Sequence, residues 1–279
     1  MNRTRLFPGL LLAAVLLAGC GEKKEQLNTI SKLKEEKMIN DRGIYGLACQ
    51  GCTDSVLVLL PTDGSDPVKY DIIDAMHQRR VMGKPKIGDW VCIVPTPQDK
   101  YVAEFVVNLE QLKGTWCYVV MPKMRDYEKM SKKLQARMMR DMPDSIKATY
   151  LIPREYGFTL QRQWTAQSVG YVSEASSLED ESPVVYPQLG FFTGWHVWNG
   201  KLIIYSGTPV LSEDKTSYDI TDVQRDTCDI VFLNDDSLTL SSEGSSRTYY
   251  RRNNVNDINK KARAIAALRQ KQALEKVTK

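Results

Sequence analysis

Asn199-Gly200 constrains the fold of this chain more than any other pair of residues. It stands between two runs of alternating apolar character, and Asn-Gly in that setting supplies the two positive-φ residues of a type I′ hairpin turn. The turn fixes the register. Trp198 faces Lys201, Val197 faces Leu202, His196 faces Ile203 and Trp195 faces Ile204. Cross-strand partners share a face, so Trp195, Val197, Leu202 and Ile204 make one apolar surface. His196 and Trp198 fall on the opposite face, beside Lys201. A second hairpin about Asp235-Asp236 places Val231, Leu233, Leu238 and Leu240 together, and residues 247–252 form a last strand.

The same alternation reads residues 156–171 as one long strand. Phe158, Leu160, Arg162, Trp164 and Ala166 lie on one face, and a uniformly polar set lies on the other. The first face must therefore point inward, with Arg162 as its exception. A buried guanidinium needs an acceptor or an aromatic plane. Strand number and spacing predict an up-and-down barrel of roughly eight strands. Residues 124–142 carry Met124, Tyr127, Met130, Leu134 and Met138 at helical spacing, which predicts an amphipathic helix across a barrel mouth. Residues 173–187 read as a solvated acidic loop. Asn256-Asp257 can cap a final helix, with Ile258, Ala262, Ile265 and Leu268 on one side and a basic opposite face.

Ahead of this barrel, residues 43–110 read as five short strands at 55–60, 68–73, 80–82, 90–94 and 101–107, broken by Gly and Pro turns. The stretch from Val81 to Val91, with Gly83-Lys84-Pro85 at its turn, resembles the strand-turn-strand of OB-type barrels. That resemblance implies an architecture and not an oligonucleotide ligand, because the stretch has no basic stripe for phosphates.

Between the two halves, Leu112-Lys113-Gly114-Thr115-Trp116 heads the apolar run to Met121. It resembles the first strand of lipocalin-like barrels, and the resemblance covers residues 112–252. It implies that Trp116 lies at the closed end of the barrel under an arginine from the last strand, Arg251 or Arg252, by cation–π stacking. The insert and the amino-terminal barrel depart from ordinary lipocalins.

Residues 1–20 give an address. Arg3 and Arg5 make a positive n-region, residues 6–18 an apolar stretch too short to span a bilayer, and Leu17-Ala18-Gly19-Cys20 resembles the bacterial lipobox. Acyl chains on Cys20 would hold the chain on a membrane. Together these features resemble the lipocalin-like domain lipoproteins of the Bacteroides group, which implies a lipid-anchored protein of the cell envelope and outer membrane, on either membrane face. The organisation is a signal peptide over 1–19 and a tether over 20–42. A small OB-like barrel follows over 43–110, then a lipocalin-like barrel over 111–254 with a helical insert at 123–150, and a helix over 255–279. The fold class is mainly β.

Of 279 residues, 42% are hydrophobic, enough for one or two cores. The net charge of +4, half of it on Arg3 and Arg5, excludes a strongly electrostatic nucleic-acid binder. Cys49-Gln50-Gly51-Cys52 is a CxxC followed by a β run, which suits a disulfide or an inert pair better than a redox site at a helix start. A zinc site would need partners that His77, His196, Cys92, Cys117 and Cys228 do not offer at paired spacing. Five cysteines besides Cys20 leave at least one free or paired with another chain. Neither histidine has an obvious nucleophile beside it, His77 lies in a loop, and no hydrolase or metalloprotease motif is present. The reading is a non-enzymatic binding protein without cofactor or metal. Its apolar or amphipathic ligand would sit among Phe158, Leu160, Arg162, Trp164, Trp195 and Val197, with Arg162 at an anionic head group. The alternatives are a filled barrel serving as a scaffold for protein partners, and a thiol redox protein using Cys49 and Cys52.

Overall fold

The computed structural model describes residues 40–170, 182–211 and 218–277. The expected signal peptide, Cys20 and all but the end of the expected tether lie outside them, as do Glu179, Asp180 and Glu181. The first sheet contains β1 (Ile44–Ala48), β2 (Val56–Pro61), β3 (Val68–Asp71), β4 (Val81–Met82), β5 (Trp90–Pro95) and β6 (Ala103–Asn108), in the order β3-β2-β1-β5-β6-β4. A parallel bridge from Asp71 to Val102 brings β3 against the start of β6. Strands β1, β2, β3, β6 and β5 thereby close a small ring around Leu57, Leu59, Val91, Ile93 and Val106.

Strand β1 is absent from the sequence reading because Gly46 interrupts its pattern. That glycine is required, since a Cβ there would strike the carbonyl of Leu60 on β2. The expected strand at 68–73 stops at Asp71, whose carboxylate accepts from the Ile73 amide at 2.8 Å and starts the short helix α1 (Ile73–His77). His77 therefore sits in a helical turn and not in a loop.

Asn108 caps the short helix α2 (Leu109–Leu112), its side chain accepting from the Gln111 amide, and the chain enters the second sheet. This sheet contains β7 (Gly114–Val120), β9 (Arg154–Leu160), β10 (Ala166–Val169), β12 (Phe191–Trp198), β13 (Lys201–Leu211), β14 (Tyr218–Leu233), β15 (Ser237–Ser242) and β16 (Ser245–Arg252). Each strand pairs antiparallel with the next along the chain from β12 to β16, and the last pairs with the first through Arg251 and Trp116. β7 pairs with β9 and β9 with β10. An up-and-down antiparallel barrel of eight strands results, closed between β10 and β12 by the Thr165–Gly194 bridge, the hydrogen bond from the Trp195 amide to the Trp164 carbonyl, and the Ser168 hydroxyl, which accepts from the Phe192 amide at 2.8 Å.

The first hairpin has the register its turn dictates, from Trp198–Lys201 to Trp195–Ile204, with Asn199 and Gly200 at φ 48° and 83°. In the second, Leu233 pairs with Leu238, but a bulge between Ile230 and Phe232 shifts the register. Ile230, not Val231, joins Leu240 on the inner face, and Val231 is exposed. The long strand expected from residue 156 is likewise two strands. Leu160 pairs with Ala166 across a tight turn in which Trp164 takes φ 61°. Arg162 lies in that turn and is exposed.

The insert is not one helix. β8 (Lys123–Met124) pairs with β11 (Val184–Val185), a 3-10 turn spans Tyr127–Lys129, and α3 (Lys132–Asp141) and α4 (Asp144–Tyr150) follow. Ser131 caps α3, accepting from the Leu134 amide at 3.3 Å. A 3-10 turn at Val255–Asp257 precedes the terminal helix α5 (Lys260–Val277), with Asn254 capping the turn. Ile258 and Ala262 are buried as expected of one face, whereas Leu268 is exposed.

From Arg42 onward the chain is one compact unit. A continuous core runs from Met82, Trp90 and Val107 of the first sheet to Trp116, Phe158, Trp195 and Leu238 of the second. Trp164 links them, its ring centroid 4.6 Å from Trp90 and 4.9 Å from Trp195. His196 does face away from Trp195, but it is buried because the first barrel covers it. Its Nε2 lies 3.1 Å from the Tyr45 hydroxyl, which donates to the Val197 carbonyl at 2.6 Å.

Candidate functional site

Register orders the inner face of the second barrel from one end to the other. Trp116 pairs with Phe158, Tyr118 with Tyr156 and Val120 with Arg154, so all six share a face. At the Trp116 end the barrel is shut. The guanidinium of Arg251, rather than Arg252, lies 4.1 Å over the Trp116 ring. It donates to the carbonyls of Lys113 (2.7 Å), Gln111 and Asp235, while Trp116 Nε1 donates to the Leu112 carbonyl at 2.8 Å. Gly114, at φ 121°, leaves the space a Cβ would take from Arg251.

The middle of the barrel is packed solid. Phe158, Leu160, Trp195 and Val197 come together there, each no more than 2% exposed, and Phe158 lies 5.1 Å from Tyr249 between ring centroids. These residues, read from the sequence as a ligand pocket, are core. Trp164 caps them from the turn. Arg162 does not join them; its guanidinium carbon is 6.0 Å from the Trp90 ring centre, outside the barrel wall.

Among the described residues the opposite end is open. A cleft of about 800 Å³ begins at the inner face of β9 and spreads beneath the 182–190 segment and α5. Ser206, Gln224 and Tyr156 give it polar groups, and Phe191, Ile265 and Pro209 give it apolar ones. Arg154 enters it from β9, 6% exposed, with its guanidinium 3.6 Å over the ring of Tyr186. Tyr186 is itself fixed, its hydroxyl donating to the Ile152 carbonyl at 2.6 Å. The segment that carries it is strapped to the insert by the Arg125 amide and Nε, which donate to the carbonyls of Pro183 (2.8 Å) and Ser182 (3.1 Å).

Sequence reading passed over Arg154 because it began the strand two residues late. Stepping back by two from Phe158 through Tyr156 reaches it, and that alternation was the available signal. Glu155 faces the other way and anchors β9 from outside. It accepts from Tyr250 Oη at 2.5 Å and Arg252 Nε at 2.8 Å, and its backbone amide donates to Asn259 Oδ1 at 2.6 Å. Burial pushes its carboxyl up, but the bonds from Tyr250 and Arg252 with the Arg252 charge outweigh that and hold it below the usual range.

Cys49 and Cys52 are free thiols in the connection from β1 to β2, away from any helix start. Cys52 donates to the Cys49 carbonyl at 3.1 Å and accepts from the Val58 amide at 3.3 Å. Burial, with Glu155 nearby, pushes the Cys117 thiol up to about 12. Among the described residues no three His, Cys, Asp or Glu side chains gather as a metal site.

No protein-family model matches the chain, and no curated protein matches it significantly. Among solved structures, it is similar to a lipocalin-like protein from Bacteroides thetaiotaomicron VPI-5482. The identity is 16% over 50% of this chain and 94% of that one, with a TM-score of 0.25.

Proposed function

We propose that this is a lipid-anchored binding protein of the cell envelope, which takes a small amphipathic ligand into the cleft at the barrel mouth and does no chemistry on it. One observation carries the reading: a barrel filled through its middle opens at one end into a space of about 800 Å³ with mixed lining. That volume falls within the roughly 300–1,000 Å³ usual for small-molecule sites. The lipobox-like Leu17-Ala18-Gly19-Cys20 supports the anchor. Mass spectrometry of the mature protein purified from its own membrane tests both parts. The expected result is acyl chains on Cys20 and a retained small molecule that Ser206→Trp, which fills the cleft, no longer carries. A molecule retained equally by that variant would remove the cleft from the proposal.

A second reading has its own observation. Met121, Val185, Phe191 and Val210, near the open end, are exposed apolar side chains, as a surface that holds a protein partner would have. In the same experiment this reading expects a co-purifying protein and an empty cleft.

A further inference from the structure

We infer that helix α3 of the insert docks on an anionic lipid surface, with Leu134, Met138 and Met142 against the acyl region and Lys132, Lys133, Arg137 and Arg140 among the headgroups. The inference rests on the proposed envelope location and not on the cleft being a binding site. Spacing builds the two faces. Leu134, Met138 and Met142 recur every four residues and line one shallow groove together with Arg137 and Asp141. Lys133, Arg137 and Arg140 form the neighbouring stripe. None of the ten residues from Lys132 to Asp141 is buried, and Leu134 is 46% exposed. Among the described residues, the groove is lined by the helix and its C-cap residue Met142 alone. Helices shorter than about 12–15 residues are marginal in water without a surface to cover their apolar face.

Charge selects what that surface is. The helix holds four cations against one carboxylate, whereas the whole chain of 279 residues has a net charge of +4. Asp141, beside the groove, is answered by Arg137 Nε and Arg140 Nε, each at 3.4 Å. Lys132 and Lys133 are exposed in the first turn. Lysine is depleted from protein interfaces, while lysine and arginine around an apolar stripe mark a helix that lies in the plane of an anionic bilayer surface. Their stems cover apolar surface and their charged heads reach the phosphates. An anchor at Cys20 keeps such a surface within reach, since the chain from there to Arg42 spans at most roughly 70–80 Å. Both ends of the insert border the cleft, through Arg125 and through Thr149 and Tyr150, so docking brings the cleft to the bilayer surface.

Hydrogen–deuterium exchange of the full protein, purified from its own cells and mixed with excess vesicles, tests this. On vesicles of phosphatidylglycerol and phosphatidylcholine, amide exchange over residues 132–142 should be about fivefold or more slower than on phosphatidylcholine alone, while β5 and β7 keep their rates. Lys132→Glu combined with Lys133→Glu should return the rate to within about twofold of the phosphatidylcholine value, and the matching pair of arginine substitutions should keep the protection. Native exchange in β5 and β7 verifies that each variant is folded. Equal exchange on the two kinds of vesicle overturns the inference, as does protection that survives the paired glutamates. Slow exchange over 132–142 before vesicles are added, with a co-purifying protein, gives the face to a protein partner and also overturns it. Mass spectrometry of the same sample separates this inference from the proposed anchor. Cys20 without lipid removes the anchor while the added vesicles still test the helix, and unprotected 132–142 beside an acylated Cys20 removes only the docking.

Discussion

Arg154 and Glu155 are adjacent in sequence and assigned to opposite sides of one wall. The inner residue lines the cleft, and the outer one carries a measurable dependence on pH. The Glu155 carboxyl is held below its unfolded value of about 4.3, so its contribution is complete above that value and is lost as pH falls through the lower, folded one. Urea midpoints should therefore drop between about pH 6 and pH 3, and Glu155→Gln should flatten that slope. An unchanged slope would show that the Tyr250 and Arg252 bonds do not favour the ionised form. At this scale the sequence was partly legible. Trp116 and an arginine of the last strand could be named, because a short motif brackets them. Arg162 and Arg154 were exchanged, because the polar residues from Gln161 to Thr165 prolong a two-residue period through what is a turn.

At the scale of elements, legibility followed the strength of the local backbone demand. Asn199-Gly200 can only be satisfied by positive φ, and the register up to Trp195–Ile204 follows from it. The bulge at Val231 has no such mark, since valine is as much at home outside a pairing as within one. Gly200 also has a second duty. A Cβ there would meet the Phe105 ring of the first barrel at 2.8 Å, at a φ of 83°. Gly200→Ala should cost roughly 2 kcal/mol, mostly from the left-handed backbone, read as a lowered urea midpoint with an unchanged slope. A midpoint equal to that of the wild type would mean that the turn relaxes freely and does not brace the two barrels.

Across the whole molecule, the two barrels share one core through Trp90, Trp164 and Trp195. They should unfold together. A single transition, coincident by tryptophan fluorescence and far-ultraviolet circular dichroism, is expected, and Trp90→Ala should lower it by about 3–5 kcal/mol without splitting it. Two separated transitions in the wild type would refute the shared core. The second barrel was legible from its strands and the first only in part, since β1 was not read, but their junction was not legible at all. Tyr45, Trp90 and Trp164 are far apart in the chain, and no local period announces that they meet. The cleft was hidden for the same reason, being assembled from a strand end, a crossing segment and a terminal helix.

The seam between β10 and β12 distinguishes this barrel from an evenly laced cylinder. Every other neighbouring pair of strands is joined by a ladder, and this one by a bridge, the nearby Trp195–Trp164 amide bond and Ser168, whose hydroxyl donates to the Gly190 carbonyl and accepts from the Phe192 amide at 2.8 Å. Gly190 and Phe191 border the cleft at the head of that seam, so a single hydroxyl, that of Ser168, joins the rim of the cleft to β10, while Arg251 fixes the shut floor around Trp116.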